Sequence, residues 1–276
     1  MIILINLLRA SFIRLKKDKL FWGLAILTII FALALLINAY LDMKKFNEIY
    51  KVIDFFPRIS IIIGFYIAII TSVFIGSEYS CGTIRNKIIT GHNRKNIYLS
   101  NFIVISIATL FYIVLFVLIV GFLGIILFGK IDISIDKLIY LILTIFLLCL
   151  AMAAINVFIS MNISSKTISS MINILLVVVL FYGCMVVYGL LSQPETTNQA
   201  TLINEQIVYE EVPNPMYPSK KMRAIYQMIL NVIPEGQAIC LNDSEDGYTY
   251  YSLYSLGIIL IVTSLGIYLF NKKEIN

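Results

Sequence analysis

The run IYLSNFIVISIATLFYIVLFVLIVGFLGIILF, residues 97–128, contains no Asp, Glu, Lys, Arg or His. A helix that crosses the ~30 Å hydrocarbon core of a bilayer takes about 20 apolar residues. This run is longer than a crossing needs, so it starts outside the hydrocarbon or tilts strongly. Working outward from it, five more stretches qualify. Leu20–Leu41 lies between Lys19 and Asp42, and Ile59–Gly76 is uncharged between Arg58 and Glu78. Leu138–Met161 and Ile168–Leu191 form a pair joined by Asn162–Thr167, and Tyr251–Phe270 is the last. The expected fold is an all-α polytopic membrane protein with six transmembrane helices.

Composition agrees. The 276 residues are 60% hydrophobic and 13% charged, with a mean hydropathy of +0.92, whereas soluble domains run near 45–50% apolar and about 25% charged. One compact core cannot hide that much apolar surface, and lipid is the natural solvent for it. The net charge of +5 carries no nucleic-acid implication until the charges are assigned to sides of the membrane, and no nucleic-acid partner is expected. The cysteines Cys81, Cys149, Cys184 and Cys240 show no C-x-x-C spacing, so neither metal binding nor thiol redox chemistry is expected. The N-terminal apolar stretch is broken by Arg9 and Arg14 with no small-residue cleavage site after it, which argues against a cleaved leader.

Orientation follows from the basic residues. With the N-terminus inside, the cytoplasmic segments hold 12 basic residues, from Arg9 to Lys273, and only Asp18, Glu78 and Glu274, a balance of +9. The other side keeps 9 basic and 13 acidic residues, a balance of −4. Both termini are therefore expected in the cytoplasm. Residues 1–19 read as an interfacial amphipathic helix, with Ile2, Ile3, Leu7, Leu8, Phe12 and Leu15 sinking into lipid and the basic residues reaching anionic headgroups. Residues 20–191 hold spans one to five, 192–250 an extracellular insertion, and 251–276 the sixth span and a cytoplasmic tail.

The cytoplasmic link between spans two and three reads Glu78-Tyr-Ser-Cys-Gly-Thr-Ile-Arg-Asn-Lys-Ile-Ile-Thr-Gly-His-Asn-Arg-Lys-Asn-Ile-Tyr-Leu-Ser-Asn101. Thr83 can cap a short helix that Gly91 ends, and Asn93 can start the next one. A short helix held between spans, with Ile84, Ile88 and Ile89 partly exposed, suits docking into a groove of another protein. The bland alternative is a basic hairpin that only orients the chain.

This stretch resembles the coupling-helix region of ABC-2 type permeases, the membrane subunits of bacterial ATP-binding cassette exporters. The pattern E-[YF]-x-x-G-T-[IL]-[RK], then a basic helix and G-x-[ST]-R, is matched at Glu78, Tyr79, Gly82, Thr83, Ile84, Arg85, Gly91 and Arg94. Asn93 departs from it, standing where Ser or Thr is common. The plan of interfacial helix, six spans and a large insertion before the last is similar too. Ile233-Pro-Glu-Gly-Gln-Ala-Ile239 looks like the P-x-G-x segment of bacteriocin- and lantibiotic-immunity members. The resemblance implies a coupling helix at about 78–92 seated in a cleft of an ATPase subunit. Its interface residues would be Glu78, Tyr79, Gly82, Thr83, Ile84, Arg85, Lys87, Ile88, Gly91 and Arg94. It also implies ATP and Mg bound on that partner, a second permease copy or paralogue, and residence in a bacterial plasma membrane. The chain has no G-x-x-x-x-G-K-[ST] of its own, so the energy source is expected to be a separate protein.

The insertion carries eight acidic residues, including Glu195, Glu205, Glu245 and Asp246, against Lys220, Lys221 and Arg223. Glu210, Glu211, Glu235 and Asp243 are candidate outer residues facing a cationic or amphiphilic peptide; a merely solvated cap is the alternative. Met222–Leu241 is amphipathic and can form re-entrant helices, and Val208–Val212 can pair as a short strand. An intramembrane enzyme would need His, Asp or Glu inside its spans, and an ion-coupled transporter usually does too; these spans have none. His92, the single histidine, sits in the hairpin without a carboxylate cluster. The expected function is therefore export of antimicrobial peptides or other amphiphiles, with drug, lipid or ion export, secondary transport or a non-transporting sensor as alternatives.

Overall fold

The computed structural model describes residues 2–129, 134–203, 206–243 and 248–274. The side chains of Ile2 and Ile3, together with Glu205, Glu245 and Asp246, lie outside what it describes. The helices in chain order are α1 (Ile2–Lys17), α2 (Lys19–Phe46), α3 (Ile59–Ser80), α4 (Thr83–Ile89), α5 (Arg94–Phe128), α6 (Ile135–Asn162) and α7 (Lys166–Leu191). Then come strands β1 (Thr196–Ile203) and β2 (Gln206–Pro213) and helices α8 (Lys220–Val232), α9 (Pro234–Leu241) and α10 (Tyr248–Lys272).

Among the described residues, six helices are long and apolar enough to cross a membrane, and they coincide with the six expected spans. The protein is an all-α polytopic membrane protein in its membrane part. Most of these helices run past the apolar cores into polar ends: α2 extends to Phe46 and α3 to Ser80. The 35 residues of α5 make a rod of about 52 Å at 1.5 Å per residue, well over the hydrocarbon thickness.

Local chemistry sets the boundaries. Asp18 accepts a hydrogen bond from Leu20 N at 2.9 Å and caps α2, separating it from α1. Asn47, at φ 56°, ends α2 in the left-handed region, which Asn tolerates better than most residues. A 3-10 segment, Val52–Arg58, then turns the chain into α3.

α3 is the central helix: most of its residues are buried, whereas α7 buries only Ser169, Asn173, Val177 and Cys184. It packs on α6 and α7, while α10 lies along α6, and α1 and α2 lie on α5. Close approach needs small residues. A Cβ on Gly76 would stand 2.7 Å from Lys166 Cγ, and one on Gly124 2.9 Å from Val52 Cγ1. The spans alternate, so the two ends of the bundle differ. One end, the basic end, gathers α1, α4, the start of α5 and the tail after α10. The other, the capped end, carries the hairpin, α8 and α9.

The strand expected at Val208–Val212 is present and longer, lying inside an antiparallel hairpin with Thr196 opposite Pro213. The Met222–Leu241 stretch forms two helices, α8 and α9, divided at Ile233 because Pro234 cannot supply the amide that continues α8. One expectation needs correction: in α1, Leu7 and Leu15 are 4% and 3% exposed and face α5 rather than lipid, while Ile5 and Ile13 are exposed.

Candidate functional site

At the basic end, α3 finishes on Glu78 and Tyr79, and these neighbours organise everything around them. Glu78 is 1% exposed. Its carboxylate pairs with Arg14 of α1 at 2.8 Å and with Lys87 of α4 at 2.5 Å. It also accepts a hydrogen bond from Asn101 Nδ2 of α5 at 2.9 Å. A buried carboxylate is costly unless paired and hydrogen-bonded, and here four elements meet on one side chain. Arg14 also lies over the Phe74 ring, 3.7 Å from its centroid. The expected water-facing headgroup anchor is thus turned inward.

Successive residues on a helix do not share a face, so Tyr79 reaches elsewhere. Its hydroxyl donates to the Met161 carbonyl at the end of α6 and accepts from Lys273 Nζ at 2.9 Å. Lys273 also donates to the Met161 carbonyl at 3.2 Å and sits 4.2 Å over the Tyr79 ring. Burial lowers its pKa to about 8.

α4 is bounded by two glycines with positive φ, Gly82 at 67° and Gly91 at 87°. A side chain in that region costs roughly 1–2 kcal/mol. Gly82, rather than Thr83, occupies the cap position, and Thr83 is the first helical residue. Ile84 is 1% exposed and Ile88 is half-buried, so only Ile89, 72% exposed, is the bare aliphatic of the three. With Lys87 turned in to Glu78, the outward surface of α4 consists of Arg85, Asn86, Ile89 and Thr90. Asn93 Oδ1 accepts from Lys95 N at 2.9 Å and caps α5. The capping chemistry of a Ser or Thr is kept there.

Arg94 Nη1 donates to the carbonyls of Phe270 at 3.0 Å, Asn271 at 3.2 Å and Lys273. Of the expected interface residues, Arg85 and Gly91 are exposed, Gly82, Thr83, Ile88 and Lys87 are half-buried, and Glu78, Tyr79, Ile84 and Arg94 are committed to internal contacts. Asn101 and Lys273 carried no signal in the sequence beyond being polar at a span end. No group of three or more metal-ligand side chains occurs among the described residues.

At the capped end, the four acidic candidates do not form one face. Glu210 and Glu211 are exposed on β2, Glu211 accepting from Thr196 Oγ1 at 2.7 Å, and Asp243 accepts from Tyr188. Glu235 is the correction: it is 4% exposed, its Oε2 has no hydrogen-bond partner, and burial pushes its pKa up to about 7. Its helix, α9, is wedged among α3, α6, α7 and α8. The wedge is held by Ser255 Oγ donating to Gln237 Oε1 at 2.8 Å and by Gln237 Nε2 donating to Asn231 O at 2.7 Å. Gly236 lies so close to α8 that a Cβ would come 2.7 Å from Leu230 O.

Along α7 a groove of about 840 Å³ opens outward, from Lys166 and Thr167 up past Met171, Leu175 and Val178.

A family model described as ABC-2 family transporter protein matches residues 5–275. No curated protein matches the chain.

Proposed function

The chain belongs to the ABC-2 transporter family, and from that premise we propose how this permease subunit is driven and what it exports. It is a multi-pass membrane permease subunit of an ABC transporter. In our reading the basic end faces the cytoplasm of a bacterial cell, and the outward surface of α4, with Arg85 and Ile89, seats in the cleft of a separate ATPase subunit. ATP and Mg bind on that subunit. Closure of two such subunits pushes on α4 and opens the paired permeases outward.

The observation that carries this reading is the Glu78 clamp. A seven-residue helix is too short to stand alone, and a lever must move what it is attached to. Glu78 binds α4 through Lys87, α5 through Asn101 and α1 through Arg14. A push on α4 therefore reaches the spans without slack. The face of α4 left free is the one bearing Arg85, Asn86 and Ile89. A second copy, or a paralogue, completes the pathway, and the open groove of α7 supports a partner on that side.

The cargo we infer is an antimicrobial peptide or another amphiphile, as in immunity systems. The support is the lack of charged side chains inside the spans and the exposed acidic Glu210, Glu211 and Asp243 at the far end. Purification with its ATPase, reconstitution, and ATP hydrolysis measured with cationic peptides tests both parts. Stimulated hydrolysis is expected. Hydrolysis that no peptide stimulates removes the peptide reading, and a permease that recruits no ATPase removes the coupling reading.

A further inference from the structure

We propose that the last span, α10, is a driven part of the coupling joint, with Arg94 and Lys273 as the positioning residues that tie it there. The driving motion rests on the coupling role proposed above; the tie itself stands on the geometry.

A helix ends with carbonyls that no intrahelical amide can satisfy. At the end of α10, three of them, on Phe270, Asn271 and Lys273, converge on one guanidinium nitrogen of Arg94. Arg94 is the first residue of α5, directly after the α4 hairpin. The charge suits the negative end of the helix dipole, and charge-assisted hydrogen bonds are roughly twice as strong as neutral ones. The chain then continues past α10 so that the Lys273 ammonium returns across Tyr79 and reaches the Met161 carbonyl. Above this latch, Tyr98 of α5 packs 6.4 Å from the Phe270 ring. A Cβ at Gly266 would overlap the Tyr98 hydroxyl.

The consequence lies in the pairing of Glu78 with Tyr79. Glu78 gathers α1, α4 and α5, while Tyr79 gathers α6 and the tail of α10. Two consecutive residues at the end of the central helix thus join both halves of the bundle. Along its length α10 packs on α6 and α5, and near its other end Ser252 is hydrogen-bonded to Thr144 and Ser255 to Gln237. At the basic end the directional contacts are those of Arg94 and Lys273, and they fix that end of the helix to the joint.

The test uses spin labels on the full chain in lipid nanodiscs, in a Cys81→Ser, Cys240→Ser background, at Asn86→Cys and Lys272→Cys, both exposed positions. A narrow distance distribution is expected. Arg94→Gln with Lys273→Gln should broaden it, and Arg94→Lys, which keeps a cation at the carbonyls, should restore part of the narrowing. Lys273→Gln alone gives a milder version if the double variant inserts poorly. A broad distribution in the parent, or an equally narrow one in the variants, overturns the tie.

With ATPase subunits added, the distance between labels at Lys95→Cys, exposed at the start of α5, and Lys272→Cys should stay fixed as ATP binds, while Lys272 moves relative to a label at Glu210→Cys. The Lys273→Gln complex should keep its ATP hydrolysis and lose transport per ATP by roughly tenfold. A 95–272 distance that shifts with ATP in the parent overturns the driven role of α10. If no label pair responds to ATP, the ATP-driven reading fails, and the tie is still judged by the widths measured on the chain alone.

Discussion

The Glu78 carboxylate lies 2.5 Å from the Lys87 ammonium and 2.8 Å from the Arg14 guanidinium, so one buried oxygen, Oε1, answers a cation from α4 and a cation from α1. Removing one partner of a buried ion pair costs about 3–5 kcal/mol, because the remaining charge is stranded. Glu78→Gln should lower the thermal stability of the purified permease by that order. Replacing Lys87 by Met in the same chain should recover part of the loss, since one orphaned cation is then gone. Additive effects in that double-mutant cycle would show that the pair is not coupled.

The outward face of α4 makes the opposite prediction. Ile89 is 72% exposed and Arg85 is exposed beside it. Surface substitutions away from special features stay within about 0.5 kcal/mol. Ile89→Asp and Arg85→Ala should therefore insert and melt like the parent, yet retain much less ATPase subunit on co-purification. Undiminished recovery of the ATPase from both variants would mean that this face is not the docking surface.

Gly82 separates the two effects. Its φ of 67° penalises a Cβ by roughly 1–2 kcal/mol, while a Cβ there would meet nothing within 4 Å. Gly82→Ala should thus act through the backbone alone, loosening the start of α4. Gly82→Asn should cost less, because Asn enters the left-handed region more readily. Hydrogen exchange of the α4 amides would rank Gly82, Asn and Ala in that order of protection.

The buried Glu235 predicts a pH dependence. Burial raises its pKa from 4.5 to about 7, so the seated α9 favours the neutral acid. A raised pKa of this kind gives stability that is full below pH 4.5 and is lost as pH climbs through about 7. Labelling of the half-buried Cys240 on α9, compared with exposed Cys81, should speed up between pH 5.5 and pH 8 beyond the intrinsic change in thiolate fraction. Glu235→Gln should abolish that excess. An unchanged excess in the glutamine variant would assign it to another group.

The capped end shows where sequence reasoning stopped short. Acidic residues in a polar loop read alike, whether they face water or the bundle. Glu210 and Glu235 differ only in their elements: β2 projects outward, while α9 is wedged between spans. Val208–Val212 suggested a strand, but its partner Thr196–Ile203 is a polar segment, TTNQATLI, without an alternating apolar face, so the hairpin could be only half seen.

The sequence by itself determined the six spans, the short helix between glycines at 82 and 91, and the family plan. Those features rest on quantities that one dimension contains: apolar length against membrane thickness, satisfaction of backbone groups within each helix, and left-handed positions that want glycine. Only the tertiary structure decided what the charges at the basic end do. Arg14 and Lys273 looked alike, as cations that orient the chain, and Arg94 read as a residue of the ATPase interface. Their partners are Glu78, Tyr79 with Met161, and the carbonyls ending α10. Which helix ends converge is set by how whole spans pack, and a desolvated charge must then find its partner there.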